Sequence, residues 1–476
     1  VSAQPDRLGR DAIGAIVIIV ATGFLMMLNE TSISVALPRI MADFAIPAFI
    51  AQWLLTAVML TMAIILPATG WMLDRFTTRQ VYLFSIVVFT LGTVAAALAP
   101  SFPLALAGRV VQAVGTAVII PLKMTVVMTV VPPARRGAVM GAIAVVMAVG
   151  PALGPTYAGA VMEGFHWRMV FWFLVPPLAV VGLVAAVRLP NVGTRRDAPL
   201  DVASLALSAV AFGGLVYGLS GVGAIIAAAP GAVAALAALV LGSGGLVLFV
   251  RRQRARRDDG TALLNLAPLQ VPAYRLALVA LVLVQAMILG VANALPLYVQ
   301  GALLASPLVA GLVSLPGGLV ETCLSPVGGW LYDRLGPRPL VVPGMAAMLV
   351  ALLWMSTVTA DSAVGAVMVM YALLVGGLAF VFTPLMTTAL GALPASLYSH
   401  GSAILNTVLQ LAAAAGTAVL IAVYAQSSAA GGHAPSAQAD GAGHAFALGA
   451  AMIAVALVVA IALRRPAPAL DTVDPR

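Results

Sequence analysis

Four ionisable residues, Glu30, Arg109, Lys123 and Glu321, interrupt long apolar stretches of a 476-residue chain. A charged side chain at the centre of a membrane helix costs roughly 2.5–3.5 kcal/mol or more, so each reads first as a functional candidate. The chemistry open to them is proton exchange or recognition of an opposite charge. Glu30 lies about eight residues, roughly 12 Å, before Pro38, where the first span is expected to end. Arg109 lies about six residues, roughly 9 Å, after Pro103, placing the two charges at similar depth. They read either as a proton-sensitive ion pair, in which Arg109 lowers the proton affinity of Glu30, or as a static salt bridge between spans one and four. Glu321 lies about thirteen residues into its span, with no cation of the second half at comparable depth. It reads as a proton carrier, a counter-charge for a cationic compound, or a neutral hydrogen-bonded acid at a helix contact. Lys123 either snorkels to the inner surface or faces a cavity, pairing there with a carboxylate or an anionic substrate; the sequence does not choose.

Composition supplies the solvent for these charges. Hydrophobic residues make up 62% of the chain and charged residues 8%, with a mean hydropathy of +1.09. Soluble domains carry about 25% charged residues, so a soluble globular protein is excluded. The single cysteine, Cys323, rules out an intrachain disulfide and a cysteine-based metal cluster. Of four histidines, three (His166, His433 and His444) fall near expected outer loops, which argues against a metal site. The chain opens on Val1 rather than Met, read as a trimmed start, and no cleavable signal peptide is evident before the first long span.

Apolar runs between charged or turn-rich breaks predict fourteen helices, over 12–39, 49–73, 80–99, 103–131, 136–162, 168–188, 200–220, 230–250, 272–300, 308–333, 338–359, 363–392, 399–425 and 443–463. The stretch 427–443, rich in Gly, Ala and Ser, is expected to form a flexible outer loop. Twenty of the 24 basic residues fall at the termini and in alternate loops, whereas the opposite loops hold only Arg39 and Arg168. The positive-inside rule therefore places both termini in the cytoplasm. The net charge of +8 is a topology signal, not a nucleic-acid surface, and the basic run 251–257 reads as an inner loop touching anionic lipid.

An internal repeat organises the spans. The stretch Gly70-Trp-Met-Leu-Asp74-Arg75-Phe-Thr-Thr-Arg79 recurs as Gly329-Trp-Leu-Tyr-Asp333-Arg334-Leu-Gly-Pro-Arg338. A weaker echo links the helix after Pro132, Pro133 and Gly137 with the helix after Pro394 and Gly401. Parallel repeats of this kind are a common plan for secondary transporters. The expected architecture is an all-α membrane protein: a six-helix bundle over 1–190, two additional helices with basic flanks over 191–260, and a second six-helix bundle over 261–476. Asp74 and Asp333, at inner helix ends, are expected to accept hydrogen bonds from neighbouring helix N-termini and arginines, latching an outward-facing state.

These motifs resemble those of major facilitator superfamily drug:proton antiporters of the fourteen-span class. The family's loop motif, Gly-x-Leu-Ala-Asp-Arg-x-Gly-Arg-Lys/Arg, is matched by Gly70, Asp74, Arg75 and Arg79, with Met72 for its Leu and Thr77 and Thr78 for its Gly and Arg. Those threonines are expected to weaken the first latch. The fourth-span motif is matched by Arg109, Gln112 and Gly115. The fifth-span antiporter motif is matched by Gly141, Gly150, Pro151, Gly154, Pro155 and Gly159, which imply a thin, bent helix that packs closely and gates. The first-span motif appears as Glu30-Thr-Ser-Ile-Ser-Val-Ala-Leu-Pro38, with Glu for the family's Asp and Ser34 for its Asn. The loop Phe76-Thr77-Thr78-Arg79 also resembles that of the lincomycin-efflux members.

The resemblance implies proton-coupled multidrug efflux by alternating access in a bacterial inner membrane, with lipophilic cationic or zwitterionic compounds as substrates. An exporter of lipids or a biosynthetic metabolite on the same fold is the alternative. Polar and aromatic residues expected to line the cavity are Gln52, Trp53, Thr56, Gln112, Lys123, Tyr157, Gln285, Asn293, Asn406 and Gln410, each of which alone also reads as an interhelical hydrogen bond or interfacial anchor. The implied partners are a small-molecule drug, protons and membrane lipids, with no nucleic acid, and the unit is a monomer. No cofactor beyond the proton gradient and no metal is expected. Neither a phosphate-binding Gly-x-x-x-x-Gly-Lys-Ser/Thr loop nor an acid/base constellation for an enzyme occurs. A channel would need rings of repeated polar residues, which the sequence does not supply.

Overall fold

In the computed structural model the described residues are 10–46, 48–51, 53–192, 201–226, 231–256, 262–305, 307–430 and 434–462. They fold almost entirely into α-helix, the backbone form that satisfies its own polar groups in lipid. The long helical segments are α1 (Arg10–Phe44), α2 (Trp53–Arg75), α3 (Thr78–Leu98), α4 (Phe102–Val130), α5 (Arg136–Gly164), α6 (Met169–Arg188) and α7 (Val202–Ser220). They continue as α8 (Ala232–Ala255), α9 (Pro272–Gly301), α10 (Pro307–Leu335), α11 (Arg338–Met355), α12 (Val364–Gly391), α13 (Tyr398–Ala430) and α14 (Pro435–Ile461). Thirteen helices among the described residues are long and apolar enough to cross a membrane. The segment expected as the fifth span forms α5, a 29-residue helix whose side chains are described only in part.

Helix boundaries depart from the expected ones where local chemistry intervenes. Helix α1 continues past Pro38 to Phe44 and stops at Ala45, which takes a left-handed φ of 51°. The outer loop expected over 427–443 is largely helix: α13 runs to Ala430, and α14 starts at Pro435, whose fixed φ suits a first helical turn. Thr77, one of the two threonines expected to weaken the first latch, caps α3 in a reciprocal pair with Gln80: Gln80 N donates to Thr77 Oγ1 (3.2 Å) and Thr77 N to Gln80 Oε1 (3.1 Å). Thr78 Oγ1 donates to the Val192 carbonyl beyond α6 (2.8 Å). Helix α7 contains a π-helical turn over Ala209–Gly213.

Two halves follow the sequence repeat. In the first, α4 packs on α2 and α3, and α1 on α5; in the second, α9 packs on α13 and α14, and α12 on α10 and α11. The halves meet through two crossed pairs, α5 on α10 and α2 on α13. Helices α7 and α8 pair with each other and lie beside the bundles, with α7 against α2 and α13.

Closure between α5 and α10 depends on missing side chains. A Cβ on Gly329 would collide with the Gly137 carbonyl, and one on Gly141 would sit 2.7 Å from the Ser325 carbonyl. These contacts lie at the end of the bundle carrying Arg135, Arg136, Arg334 and Arg338, hereafter the basic end. At the opposite end Asp43 ties α1 to the α5–α6 connection. Arg168 Nη1 donates to its Oδ2 at 2.7 Å and Trp167 Nε1 to the same oxygen at 3.1 Å, while Arg168 Nη2 reaches the Ala99 carbonyl at 2.8 Å. The Arg168 guanidinium holds the Asp43 carboxyl below the usual aspartate range.

Two outcomes follow from this packing. Gly329→Val should force α5 and α10 apart, overpacking of a type that costs about 1–3 kcal/mol; spin labels at the exposed Arg135 and Arg338 should report a longer separation than in the parent. Asp43→Asn should lower the thermal midpoint in detergent at neutral pH. Because the folded pKa is depressed, that contribution is present above the unfolded value of about 3.9 and is lost as pH falls through the folded value. Parent and variant midpoints should therefore converge below about pH 4.

Candidate functional site

Helix α4 carries Arg109, Gln112, Thr116 and Lys123 at spacings of three, four and seven, which puts them on one face. All four are buried. Arg109 Nη1 donates to Asn29 Oδ1 and to Gln112 Oε1, both at 2.9 Å, and its Nε donates to the Leu54 carbonyl at 3.2 Å. Gln112 Nε2 continues to Thr93 Oγ1 at 2.8 Å. One guanidinium thus joins α4 to α1 and α2, and its glutamine extends the network to α3. Two buried atoms in it, Arg109 Nη2 and Asn29 Nδ2, have no hydrogen-bond partner.

Glu30 adjoins this network without closing it. It is half-buried and electrostatically coupled to Arg109, yet among the described residues no ion pair within 4 Å joins the two. The direct pair expected from matching depths is replaced by the Arg109–Asn29 bond. An amide can satisfy the guanidinium without a second desolvated charge, which leaves the carboxylate uncommitted. Asn29 is therefore a member of the site that depth matching did not single out. Its only signal was a polar residue preceding Glu30 in an apolar run.

Glu321 sits where α10 passes from an open to a closed face. Gly311, Ser314 and Gly318 are exposed, whereas Ser325 and Gly329, on the same side of the helix, are buried against α5. Glu321 falls between these two stretches, half-buried, with its charge acting on Tyr371 of α12.

The basic end is held by two carboxylates, one from each repeat. Asp333 at the end of α10 accepts Gly137 N and Ala138 N, both at 2.8 Å, at the start of α5. Asp74 at the end of α2 accepts Ser399 Oγ and faces His400 Nε2 at 3.0 Å, at the start of α13. Each carboxylate meets the N-terminal, partially positive end of a helix in the other half. His400 was the histidine left without a role by the sequence; its signal was a place at the start of the helix that echoes α5. Arg79 Nε donates to the Leu189 carbonyl at 2.9 Å, and Arg334 lies 3.9 Å above the Trp330 ring, while Arg338 is exposed at the first position of α11. Arg75 is half-buried at the last position of α2.

Other expected site residues are dispersed. Gly150 and Gly154 pack against Met27 and Thr31 of α1 rather than against α10, and Pro151 and Pro155 lie on the same helix with side chains outside the described ones. Tyr157 Oη donates to the Val170 carbonyl at 2.8 Å, an interhelical tie. Trp53 stacks on Tyr217 of α7, with ring centroids 6.1 Å apart, and so faces the additional pair. Asn406 Nδ2 donates to the Ser402 carbonyl at 2.8 Å, and Asn293, exposed, to the Leu289 carbonyl at 2.7 Å. Thr56, Gln285 and Gln410 are half-buried; Gln52 and His433 lie outside the described residues. No metal-holding group of His, Cys, Asp or Glu occurs among the described residues. An apolar cavity of about 630 Å³, lined in part by Leu324, Pro343, Leu373 and Phe380, lies within the second half among α10, α11 and α12.

Comparison with known proteins agrees with this architecture. The sequence profile of the Major Facilitator Superfamily matches residues 19–417. The chain is 34% identical over 405 residues to the lincomycin resistance protein LmrB of Bacillus subtilis, covering 85% of this chain and 83% of that one. It is also 34% identical over 451 residues to an uncharacterized MFS-type transporter, YcnB, of the same organism, covering 94% of each. Among solved structures it resembles the proton:xylose symporter XylE, with a TM-score of 0.67 at 15% identity over 95% of both chains. The human organic anion transporter MFSD10 superposes with the same TM-score at 16% identity, covering 96% of this chain and 100% of that one. At such identities the structural likeness speaks for the fold alone. The chain is a multi-pass membrane transporter that belongs to the major facilitator superfamily.

Proposed function

We propose that this protein is a proton-coupled drug exporter of fourteen spans with cytoplasmic termini, seated in a bacterial inner membrane, with a cleft between its halves open to the outer side. The observation that carries the reading is the course of α10: exposed at Ser314 and Gly318, sealed at Ser325 and Gly329, with Glu321 between. Protons entering the open cleft reach Glu321 and the uncommitted carboxylate of Glu30. Protonation removes the cost of carrying a charge through a low-dielectric contact, so the acids favour closure of the cleft when neutral and opening when ionised. Asp74 and Asp333 hold the cytoplasmic side shut until that closure competes with them. The names of the relatives, lincomycin resistance and multidrug resistance proteins, favour lipophilic drugs as cargo. An ionised carboxylate in the cleft favours a cationic or zwitterionic compound over a neutral one.

Lys123 supports a second reading. It is buried on α4 and has no carboxylate within ion-pairing distance among the described residues. A cation left unpaired at that depth suits an acidic amphiphile as cargo.

Glu30→Gln and Glu321→Gln should each leave a folded protein whose ΔpH-driven efflux of lincomycin or a cationic dye from proteoliposomes falls to the protonophore background. Normal export by both variants with the gradient intact would sink the coupling assignment. Lys123→Gln should leave dye export unchanged if the drug reading holds; selective loss of an anionic lipid's transport would favour the second.

A further inference from the structure

A run of buried hydrogen bonds leads from the additional helix pair to the latch at Asp74. It starts at Asp201, which caps α7 and takes two parallel bonds from Arg252 of α8: Nε to Oδ2 and Nη2 to Oδ1, both 2.9 Å. Ser204 Oγ donates to Asp201 Oδ2 at 2.6 Å and accepts from Gln253 Nε2 at 2.7 Å. Gln253 Oε1 accepts Leu264 N at 3.1 Å, in the connection between α8 and α9. The next residue, Asn265, donates its backbone N–H to His400 Nδ1 at 3.3 Å, while His400 Nε2 faces Asp74 Oδ2 at 3.0 Å. Ser204 and Gln253 are at most 1% exposed and His400 is 5% exposed, so water does not offer them ready substitutes.

The direction of each bond fixes the histidine. Because Nδ1 accepts from Asn265, the ring proton resides on Nε2 and is donated to Asp74. A half-turn of the ring would put Cδ2 in place of Nδ1 and Cε1 in place of Nε2, and both bonds would be lost. Space enforces the same orientation: a Cβ on Gly70 would sit 2.7 Å from His400 Nδ1, so the bare glycine backbone of α2 is what admits the imidazole.

We propose that His400 is a positioning residue for Asp74, and that the α7–α8 pair, acting through Gln253 and the connection ahead of α9, sets how firmly the basic end is latched. The additional helices are then a brace on the transport cycle, holding one of its two latches from outside the bundles. Asp333, by contrast, takes two of its donors directly from the α5 backbone. The inference rests on the alternating-access reading given above.

The test uses the full chain in inside-out vesicles with Cys323→Ala and a reporter, Ser325→Cys, in the buried α5–α10 contact. Reaction with a membrane-impermeant maleimide added from the basic side measures opening there. Asp74→Asn, the reference, should raise the labelling rate. His400→Leu and Gln253→Leu should each raise it roughly three- to tenfold, the effect of losing one buried hydrogen bond. His400→Gln, which keeps a donor and an acceptor, should stay near the parent. The double variant His400→Leu with Gln253→Leu should exceed neither single by more than about twofold, because both break one path. Ser204→Ala, a smaller change expected to act like Gln253→Leu, serves if the latter does not fold. If Asp74→Asn opens the basic end but Gln253→Leu and Ser204→Ala do not, or if the double variant multiplies the singles, the brace is overturned. If Asp74→Asn itself leaves labelling unchanged, the alternating-access reading of the latch fails instead.

Discussion

Two carboxylates, each ending a helix of one half and meeting the first turn of a helix of the other, are the constraint on which this molecule turns. An α-helix leaves its first N–H groups unsatisfied, and in a membrane protein those groups need a partner from the protein itself. Asp333 supplies that partner to Gly137 and Ala138 across the interface between the halves. The bond forms only because Gly137 and Gly329 let the two backbones touch. Helix capping, ordinarily a local matter of stability, here becomes a contact between the two halves. Separating the halves at that end strands both the donors and the acid.

The same logic governs the interior. Arg109 is nearly enclosed, and its bonds go to an asparagine, a glutamine and a carbonyl, not to the neighbouring acid. Had Glu30 been consumed in a buried ion pair, removing either partner would cost heavily, and the acid would be a poor exchanger of protons. Neutral acceptors carry the structural load of the arginine and leave Glu30 available. Glu321 differs: among the described residues no ion pair joins it to a cation, and it lies between exposed and buried stretches of α10. The two halves therefore repeat in their latches but not in their acids.

The pattern of apolar runs made most of the helices legible, because twenty residues of oil-soluble side chain have few structures open to them. The recurrence of Gly70–Arg79 as Gly329–Arg338 made the two halves legible as well, and with them the place of both latch carboxylates. Individual cavity residues were not. Tyr157 and Trp53 carry the composition of a binding wall, yet one ties α5 to α6 and the other stacks on α7. A polar or aromatic residue in a helix looks alike whether it faces a cleft or a neighbour, since rotation about the helix axis is decided by packing. Gly150 and Gly154 show the same limit, because a small residue marks a close approach without saying what approaches.

What the sequence determined by itself was the solvent, the number of hydrophobic segments within one or two, the repeat, and the few charges that lipid would not tolerate without cause. These follow from transfer energies and chain periodicity, which act on each segment alone. The tertiary structure decided which donor each carboxylate meets, that Asn29 stands between Arg109 and Glu30, and that Gln253 and His400, far apart in the chain, lie along one hydrogen-bonded path. It did so because a hydrogen bond requires two groups within about 3 Å, and helices distant in sequence reach that spacing only when the whole bundle has packed.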